Sequence, residues 1–372
     1  MIYKDFQGKK LSALGLGCMR LPLNENGKID EELSRKMFKY AMENGVNYYD
    51  TAWGYHGGQS EIVTGRILSE FDRESFYVAT KFPGYDSANM EKVEEIFEKQ
   101  LEKTGMNYFD FYLFHCVSES NIEGYLDEKY GIFNYLMKQK ENGRIRHLGF
   151  SAHAKLDTLE RFLEKYGYAM EFGQLQINWY DYIFQKGKEQ IDILNKYNVP
   201  VWVMEPVRGG KLVSLENKYE KLLKSLRPNE TIPGWGFRFI QSLPQVCVTL
   251  SGMSNMEQLE ANIKTFETEE PLNEIEFKSV LEITKDMINP NNVPCTACAY
   301  CVDYCPQGLN IPELIKVYNE NNFGEKISAD VLSSLSEDKH PSSCIGCISC
   351  EAVCPQNIKI SEVMNSFASK LK

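Results

Sequence analysis

The sequence predicts an α/β protein in two parts: a (β/α)8 barrel over residues 1–285 and a small, mainly α-helical, cysteine-rich domain over residues 286–372. Three observations carry this. Eight apolar, strand-like runs alternate with helical patterns through the first part. Eight of the eleven cysteines lie after position 290. A length of 372 residues is too long for one ordinary domain and suits one large domain plus one small.

The strand candidates are LSALGLG (11–17), VNYYD (46–50), FYVAT (76–80), FDFYLFH (109–115), RIRHLGFS (144–151), FGQLQIN (172–178), VPVWVME (199–205) and VCVTLSG (246–252). Helical periodicity separates most of them, as over 31–45 and 89–105. The second of these stops at Gly105, where a left-handed residue closes a helix. Its charged positions read as a solvated face with i,i+4 pairs. Eight βα units in this length suit a TIM barrel, which takes about 250 residues. A doubly wound open sheet needs fewer strands and usually a glycine-rich dinucleotide turn, and LGLGCM (14–19) lacks the full G-x-G-x-x-G.

Hydrophobic residues at 43% and charged residues at 25% give the balance of a folded soluble protein. A net charge of −11 lacks the basic footprint of nucleic-acid binding and is repelled by anionic membranes. No signal-peptide pattern opens the chain, and no stretch approaches the roughly 18 apolar residues of a membrane span. The expected location is the cytoplasm, and the expected partners are small molecules, with no nucleic acid and no membrane. In a reducing compartment, cysteines point to metal binding or catalysis before disulfides.

Cys295, Cys298, Cys301 and Cys305 precede Pro306, and Cys344, Cys347, Cys350 and Cys354 precede Pro355. Each group reads C-x2-C-x2-C-x3-C-P, the bacterial ferredoxin run in which the fourth cysteine ligates the other cluster. The expected sets for two [4Fe–4S] clusters are Cys295, Cys298, Cys301 with Cys354, and Cys344, Cys347, Cys350 with Cys305. Two zinc sites fit this register poorly. Helical patterns at IPELIKVYNENN (311–322), SADVLSSLSE (328–337) and ISEVMNSFASKLK (360–372) predict a ferredoxin-like domain of the helical kind. Cys18, Cys116 and Cys247 stand alone in apolar runs and read as packing residues.

In a barrel, chemistry sits at the C-terminal ends of the strands. Asp50, Lys81 and His115 close three successive strand candidates, and Tyr55 follows Asp50 by five residues. A phenol with a reference pKa of about 10 is a poor proton donor at neutral pH. A nearby ammonium lowers it. Asp50 would hold that ammonium, His115 would hydrogen-bond a carbonyl oxygen, and Tyr55 would protonate it. Trp53, His56 and Trp179 lie near the presumed mouth, while His147 and His340 read as packing or surface residues.

GVNYYDTAWGYHGGQSE (45–61), VATKF (78–82) and FYLFH (111–115) resemble the core of the aldo-keto reductases over roughly residues 8–270. Asp50, Tyr55, Lys81 and His115 match that family's catalytic tetrad. The resemblance implies carbonyl–alcohol chemistry with NADPH and no metal in the barrel. It also implies a cofactor site. Ser151 and Gln176 match carboxamide-holding positions, with Ala152 where the family has Asn. Met204, before Pro206, stands where a Tyr covers the ring. The RGGK loop, with Arg208, Gly209 and Lys211, would meet the pyrophosphate. Gly252 and Gln258 replace the Lys and Arg that take the ribose 2′-phosphate, Ala261 replaces a Glu, and Asn262 is kept. The helix start at Ser254 and Asn255 offers N–H groups to a phosphate. NADP(H), NAD(H) and a flavin all stay open.

Hydride carries two electrons and a [4Fe–4S] cluster one. Three readings follow: a relay between a ferredoxin-type electron partner, the clusters and a carbonyl or alcohol substrate; a conventional nicotinamide-dependent carbonyl reductase with structural or redox-sensing clusters; and an electron-transfer module without turnover.

Overall fold

The computed structural model describes residues 1–288, 292–321, 326–333 and 335–371. The chain divides into two compact units, Met1–Lys285 and Asp286–Lys372.

In the first unit a hairpin, β1 (Tyr3–Phe6) and β2 (Lys9–Ser12), precedes eight parallel strands: β3 (Leu14–Gly17), β4 (Tyr48–Asp50), β5 (Tyr77–Phe82), β6 (Phe109–Val117), β7 (Ile145–Ala152), β8 (Gly173–Gln176), β9 (Val201–Met204) and β10 (Val246–Ser251). They pair in chain order, and β10 closes on β3. All eight strand candidates are barrel strands. The run 11–17 is broken, because Ser12 ends the hairpin and its hydroxyl donates to the Leu14 carbonyl at 2.7 Å, so the barrel strand begins only at Leu14.

Side chains two residues apart share a face of a strand. Tyr48, Ala79, Phe111, Leu113, Trp202 and Val248 meet Phe6 in one buried cluster. Phe6 reaches in from the hairpin, its ring 5.0 Å from Trp202 and 5.8 Å from Phe111. Bulky aromatics thus fill the barrel where its strands begin. The same alternation, one step further along β4, β5 and β6, puts Asp50, Lys81 and His115 at the other end. The intervening residues face the helices: Tyr49 stacks on Phe38 of α1 (Glu31–Glu43), and Thr80 bonds Glu61 of α2 (Gln59–Leu68).

Asp30 caps α1 by accepting from the Leu33 N–H at 2.9 Å. Gly105, at φ +66°, closes α3 (Val93–Thr104). Gly65 lets α2 and α3 touch, since any β-carbon there would collide with the Thr104 backbone. The α3 face expected to be solvated is not wholly so: Gln100 is fully buried and Lys103 nearly so.

In the second unit, helices Ile311–Asn321 and Ile360–Lys370 pack around a core of Leu309, Leu314, Ile315, Tyr318, Met364 and Phe367 together with Cys295, Cys301, Cys350 and Cys354. Among the described residues, the stretch expected to be helical over 328–337 holds the 3-10 turn Ala329–Leu332 and the first residue of another, Glu337–Lys339. Ser328 caps the first turn through the Asp330 N–H, and serines that bond the nearby backbone compete with helix propagation. Asn322, Ser334 and Lys372, included in helices by the periodicity, lie outside the described residues. Among the described residues no helix is long and apolar enough to cross a membrane.

Candidate functional site

At the C-terminal end of the barrel, Lys81 Nζ donates to Asp50 Oδ1 at 2.6 Å and to the Thr51 carbonyl at 2.7 Å. Lys81 is fully buried and Asp50 almost so. The ammonium lies 5.1 Å from the centre of the Tyr55 ring. His115 stands edge-on to that ring at 6.1 Å and to Tyr85 at 5.1 Å. Tyr55 and His115 are buried. Burial pushes the His115 imidazole well below its usual range, and the Lys81 ammonium and His153 act in the same direction. The ring is therefore neutral near pH 7. Burial also raises the Asp50 carboxyl, against the pull of Lys81. The structure thus brings together an ammonium with its counter-ion, a phenol and a neutral imidazole.

Local backbone holds His115 in place. Its neighbour Cys116 adopts φ +59°, at a register break between Phe114 and Val117 where β6 pairs with β7. Bulges of this kind re-aim a side chain near a site. The Cys116 N–H donates to Ser151 Oγ at 2.8 Å, Asn121 Nδ2 donates to the Cys116 carbonyl at 2.8 Å, and the Tyr125 hydroxyl donates to the His115 carbonyl at 2.7 Å. Cys116 is buried, as are Cys18 and Cys247, whose thiols burial pushes up to about 12.

Behind the tetrad lies a buried polar network that the sequence reading missed. Glu61 accepts from Lys103 Nζ at 2.5 Å, Thr80 Oγ1 at 2.6 Å and Gln100 Nε2 at 2.7 Å. Gln100 Nε2 also reaches the Lys81 carbonyl at 2.9 Å, and Tyr112 donates to Gln100 Oε1 at 2.6 Å. Lys103 Nζ sits 4.5 Å over the Trp53 ring, in the segment that carries Tyr55. Tyr85 packs on Gly54 so closely that any side chain there would collide with its hydroxyl. The one signal in the sequence was the pair of ionisable residues on facing helices, which periodicity alone assigns to solvent.

The residues expected to hold a cofactor are spread over the ends of β7 to β10. Ser151 Oγ receives the Cys116 N–H. Gln176 donates to Asp181 Oδ2 at 2.7 Å and bonds His153. Asp181 is fully buried, and it also receives Asn178 Nδ2 at 2.8 Å and Arg208 Nε at 3.0 Å. The Arg208 guanidinium is thus engaged by an internal carboxylate and lies 4.6 Å over the Tyr180 ring, rather than standing free in the loop. Arg208 and Gly209 both take left-handed backbone. Met204 Sδ receives Gln174 Nε2 at 3.5 Å, and the Pro206 carbonyl lies close against Gly236. Gln258 accepts from the Ser254 N–H at 2.8 Å, Asn255 accepts from the Gln258 N–H at 2.9 Å, and Asn262 donates to Ser251 Oγ at 3.0 Å. Gly252 has the Arg20 stem directly over it, 3.1 Å from where a β-carbon would stand. The aliphatic part of Arg20, from the turn after β3, therefore packs over the position that carries a lysine in the resembled family. Trp179, expected near the mouth, is buried, and the Thr284 hydroxyl donates to its carbonyl at 3.0 Å.

In the second unit two apolar-walled cavities are each bordered by four cysteines. Cys295, Cys298, Cys301 and Cys354 line one, and Cys305, Cys344, Cys347 and Cys350 line the other. Each set takes three residues from one run and one from the other. Among the described residues no three His, Cys, Asp or Glu side chains converge closely enough to hold a single metal ion. Four soft sulfur donors around a cavity suit a polynuclear cluster better than one zinc ion.

A closed parallel barrel with an acid, an amine, a phenol and an imidazole at its C-terminal end, joined to a unit of four-cysteine cradles, defines an iron–sulfur oxidoreductase class. A family model described as "Aldo/keto reductase family" matches residues 13–285, and one described as "4Fe-4S dicluster domain" matches residues 294–358. The chain belongs to the aldo/keto reductase family and is an oxidoreductase of that family with an added 4Fe–4S dicluster domain. It is 32% identical to "Probable aldo-keto reductase 1" of Glycine max over 42% of this chain, a stretch that spans only 45% of that relative. It is 24% identical to "Uncharacterized oxidoreductase YqkF" of Bacillus subtilis over 75% of this chain and 94% of that protein. The aldo-keto reductase AKR11C1 of Bacillus halodurans, holo form, shares the fold with a TM-score of 0.63 and 22% identity, covering 78% of this chain and 99% of that one. An aldo-keto reductase of Klebsiella pneumoniae in complex with NADPH gives a TM-score of 0.62 and 16% identity, over 76% and 96%.

Proposed function

We propose that the protein interconverts a small carbonyl compound and its alcohol at the C-terminal end of the barrel, with Tyr55 as proton donor, and that two [4Fe–4S] clusters in the second unit relay single electrons. The observation that carries the reading is the buried Lys81–Asp50 pair beneath Tyr55, with His115 at its edge.

Each side chain has a task. The Lys81 ammonium favours the phenolate form of Tyr55, which makes the hydroxyl a better acid. Asp50 keeps that ammonium paired where both side chains are buried. Neutral His115 donates an N–H to the substrate oxygen and so orients the carbonyl toward the phenol. Tyr55 gives its proton to that oxygen during reduction and takes it back during oxidation. When bound, a nicotinamide would supply or accept the hydride, and the two clusters would take up or release one electron each, two for every hydride, in exchange with an external one-electron partner. Ser151, Gln176 and Met204 would border the nicotinamide. Pro206, Arg208 and Gly209 would border the pyrophosphate, and Gly252, Ser254, Gln258 and Asn262 the adenosine end. The Arg20 stem packs against Gly252 at that end, and NADP(H) or NAD(H) is the cofactor proposed there. The Klebsiella relative's NADPH supports the same choice.

The test is an anaerobic titration with NADPH, and separately NADH, that follows the visible cluster absorbance. Bleaching supports the relay and prompts a search for bound flavin. Tight binding without bleaching favours a conventional reductase with structural clusters. Binding of neither cofactor overturns nicotinamide use. Tyr55→Phe with normal turnover overturns the proton-donor role.

A further inference from the structure

We propose that the two cysteine cradles are inequivalent. The one formed by Cys305, Cys344, Cys347 and Cys350 is the electron port of the second unit, and it holds the cluster of higher reduction potential. The inference rests on the two-cluster reading above.

The two runs have the same backbone and different side chains on it. Ala297 and Ala299 in the first run, and Gly346 and Ile348 in the second, all adopt positive φ, from 56° to 67°. The loops therefore superimpose in kind, position for position. In the first, Thr296 is buried, and Ala299, although exposed, presents only a single methyl group. In the second, the equivalent residues are Ile345 and Ile348, and they are 63% and 59% exposed. A β-branched residue at positive φ is a conformational outlier. Ile348 is strained and also exposed, so neither backbone preference nor burial explains it. Such strain collects at functional positions. The cysteines differ in the same sense. Cys295, Cys301 and Cys354 are buried and Cys298 partly so, whereas Cys347 is exposed, Cys305 and Cys344 are partly exposed, and only Cys350 is buried.

Physics then orders the potentials. Reduction adds one negative charge to a cluster, and burial disfavours charge. The cluster nearer water is reduced more readily. Its rim, Cys344–Cys350, carries no charged side chain, so an apolar collar of Ile345 and Ile348 frames the exposed sulfur. Ile311 and Ile360, both 1% exposed, line both cavities, so one layer of side chains separates them. A low-potential one-electron donor reduces the port cluster by one electron and is itself oxidised by one. That electron rests on the port cluster; a second electron from the same donor then drives uphill transfer of one electron across the isoleucine layer to the inner cluster, so that two donor molecules are each oxidised by one electron and both clusters are reduced.

The test uses the full-length chain, reconstituted anaerobically, in three forms: wild type, Ile348→Asp and Ala299→Asp. Both substitutions place one carboxylate at the same loop position of opposite cradles. An EPR-monitored redox titration of the wild type should show two one-electron steps. Ile348→Asp should lower electron affinity at the upper step by about threefold to tenfold, tenfold being about 59 mV for one electron. Ala299→Asp should move the lower step instead. In stopped flow, reduction by dithionite, an anion, should slow about threefold or more for both clusters in Ile348→Asp, while Ala299→Asp leaves port reduction unchanged. Eight irons per chain with a single step, or with Ile348→Asp moving the lower step, overturns the inference alone. Equal slowing by Ala299→Asp does the same. Four irons or fewer overturns the two-cluster reading and the inference with it.

Discussion

The barrel and the second unit place their reactive side chains in opposite ways. In the barrel the core is aromatic and aliphatic, with Phe6, Tyr48, Phe111 and Trp202 packed where the strands begin, and the tetrad stands at the other end as an addition to a core that is complete without it. In the second unit the cysteines are the core: Cys295, Cys301, Cys350 and Cys354 pack directly with Ile315, Met364 and Phe367. A change of chemistry should therefore leave the barrel folded, whereas a change of chemistry in the second unit should dismantle it.

The largest expected effect follows from that contrast. Stripping iron with a chelator under oxidising conditions leaves each cavity bordered by four unligated cysteines, of which Cys295, Cys301, Cys350 and Cys354 are part of the unit's core, and small metal-bound domains take much of their folding free energy from the metal. Limited proteolysis should then cut within residues 286–372 while Met1–Lys285 resists. Equal resistance of both units after iron loss would break the comparison. Next comes Tyr55→Phe, which removes one hydroxyl and little packing. Turnover of a small test aldehyde should fall by about 10²- to 10⁴-fold, the worth of a positioned general acid, with the thermal midpoint nearly unchanged. A large drop in that midpoint would mean that Tyr55 belongs to the core after all.

Lys103→Met sharpens the boundary between the two behaviours. It leaves Glu61 charged and buried without its ammonium, which costs about 3–5 kcal/mol when a buried pair is broken. It also frees the Trp53 segment that carries Tyr55. Both stability and kcat should fall, and Glu61→Gln combined with Lys103→Met should recover much of the stability. No change in either quantity would return Lys103 to the solvated face first expected of α3.

The barrel was legible in the sequence because its eight strands are continuous apolar runs, as strands buried on both sides must be. The strand-end positions of Asp50, Lys81 and His115 follow from the same runs. What escaped was whatever depends on two elements meeting. Nothing local marks Glu61 and Lys103 as partners. The Arg20 stem lies over Gly252 only because β3 and β10 are neighbours in a closed barrel. Arg208 looked available for a phosphate until Asp181, from a different loop, was found beneath it. The hairpin was hidden because its second strand runs directly into the first barrel strand. In the second unit the cysteine spacing carried the reading, and the serine-rich stretch 328–337 misled it because apolar periodicity there outran helix propensity.

The smallest effect expected separates the two regions by pH. His115 lies well below the usual imidazole range, and burial holds His153 down to about 4 even though a hydrogen bond with Gln176 opposes it. Both are neutral in the folded barrel at pH 7. The unfolded chain binds a proton at each imidazole near pH 6.5. Below that value it binds more protons than the folded state does, so stability rises with pH in this window. The contribution is fully present above about pH 6.5 and is lost as pH falls toward 4. The barrel's thermal midpoint should therefore decline on acidification through this window. His153→Gln should flatten the decline by removing one of the two groups. A midpoint constant from pH 7 to pH 5, with turnover falling instead, would mean that an imidazole is protonated in the folded site, and that His115 acts there as a cation rather than as a neutral donor.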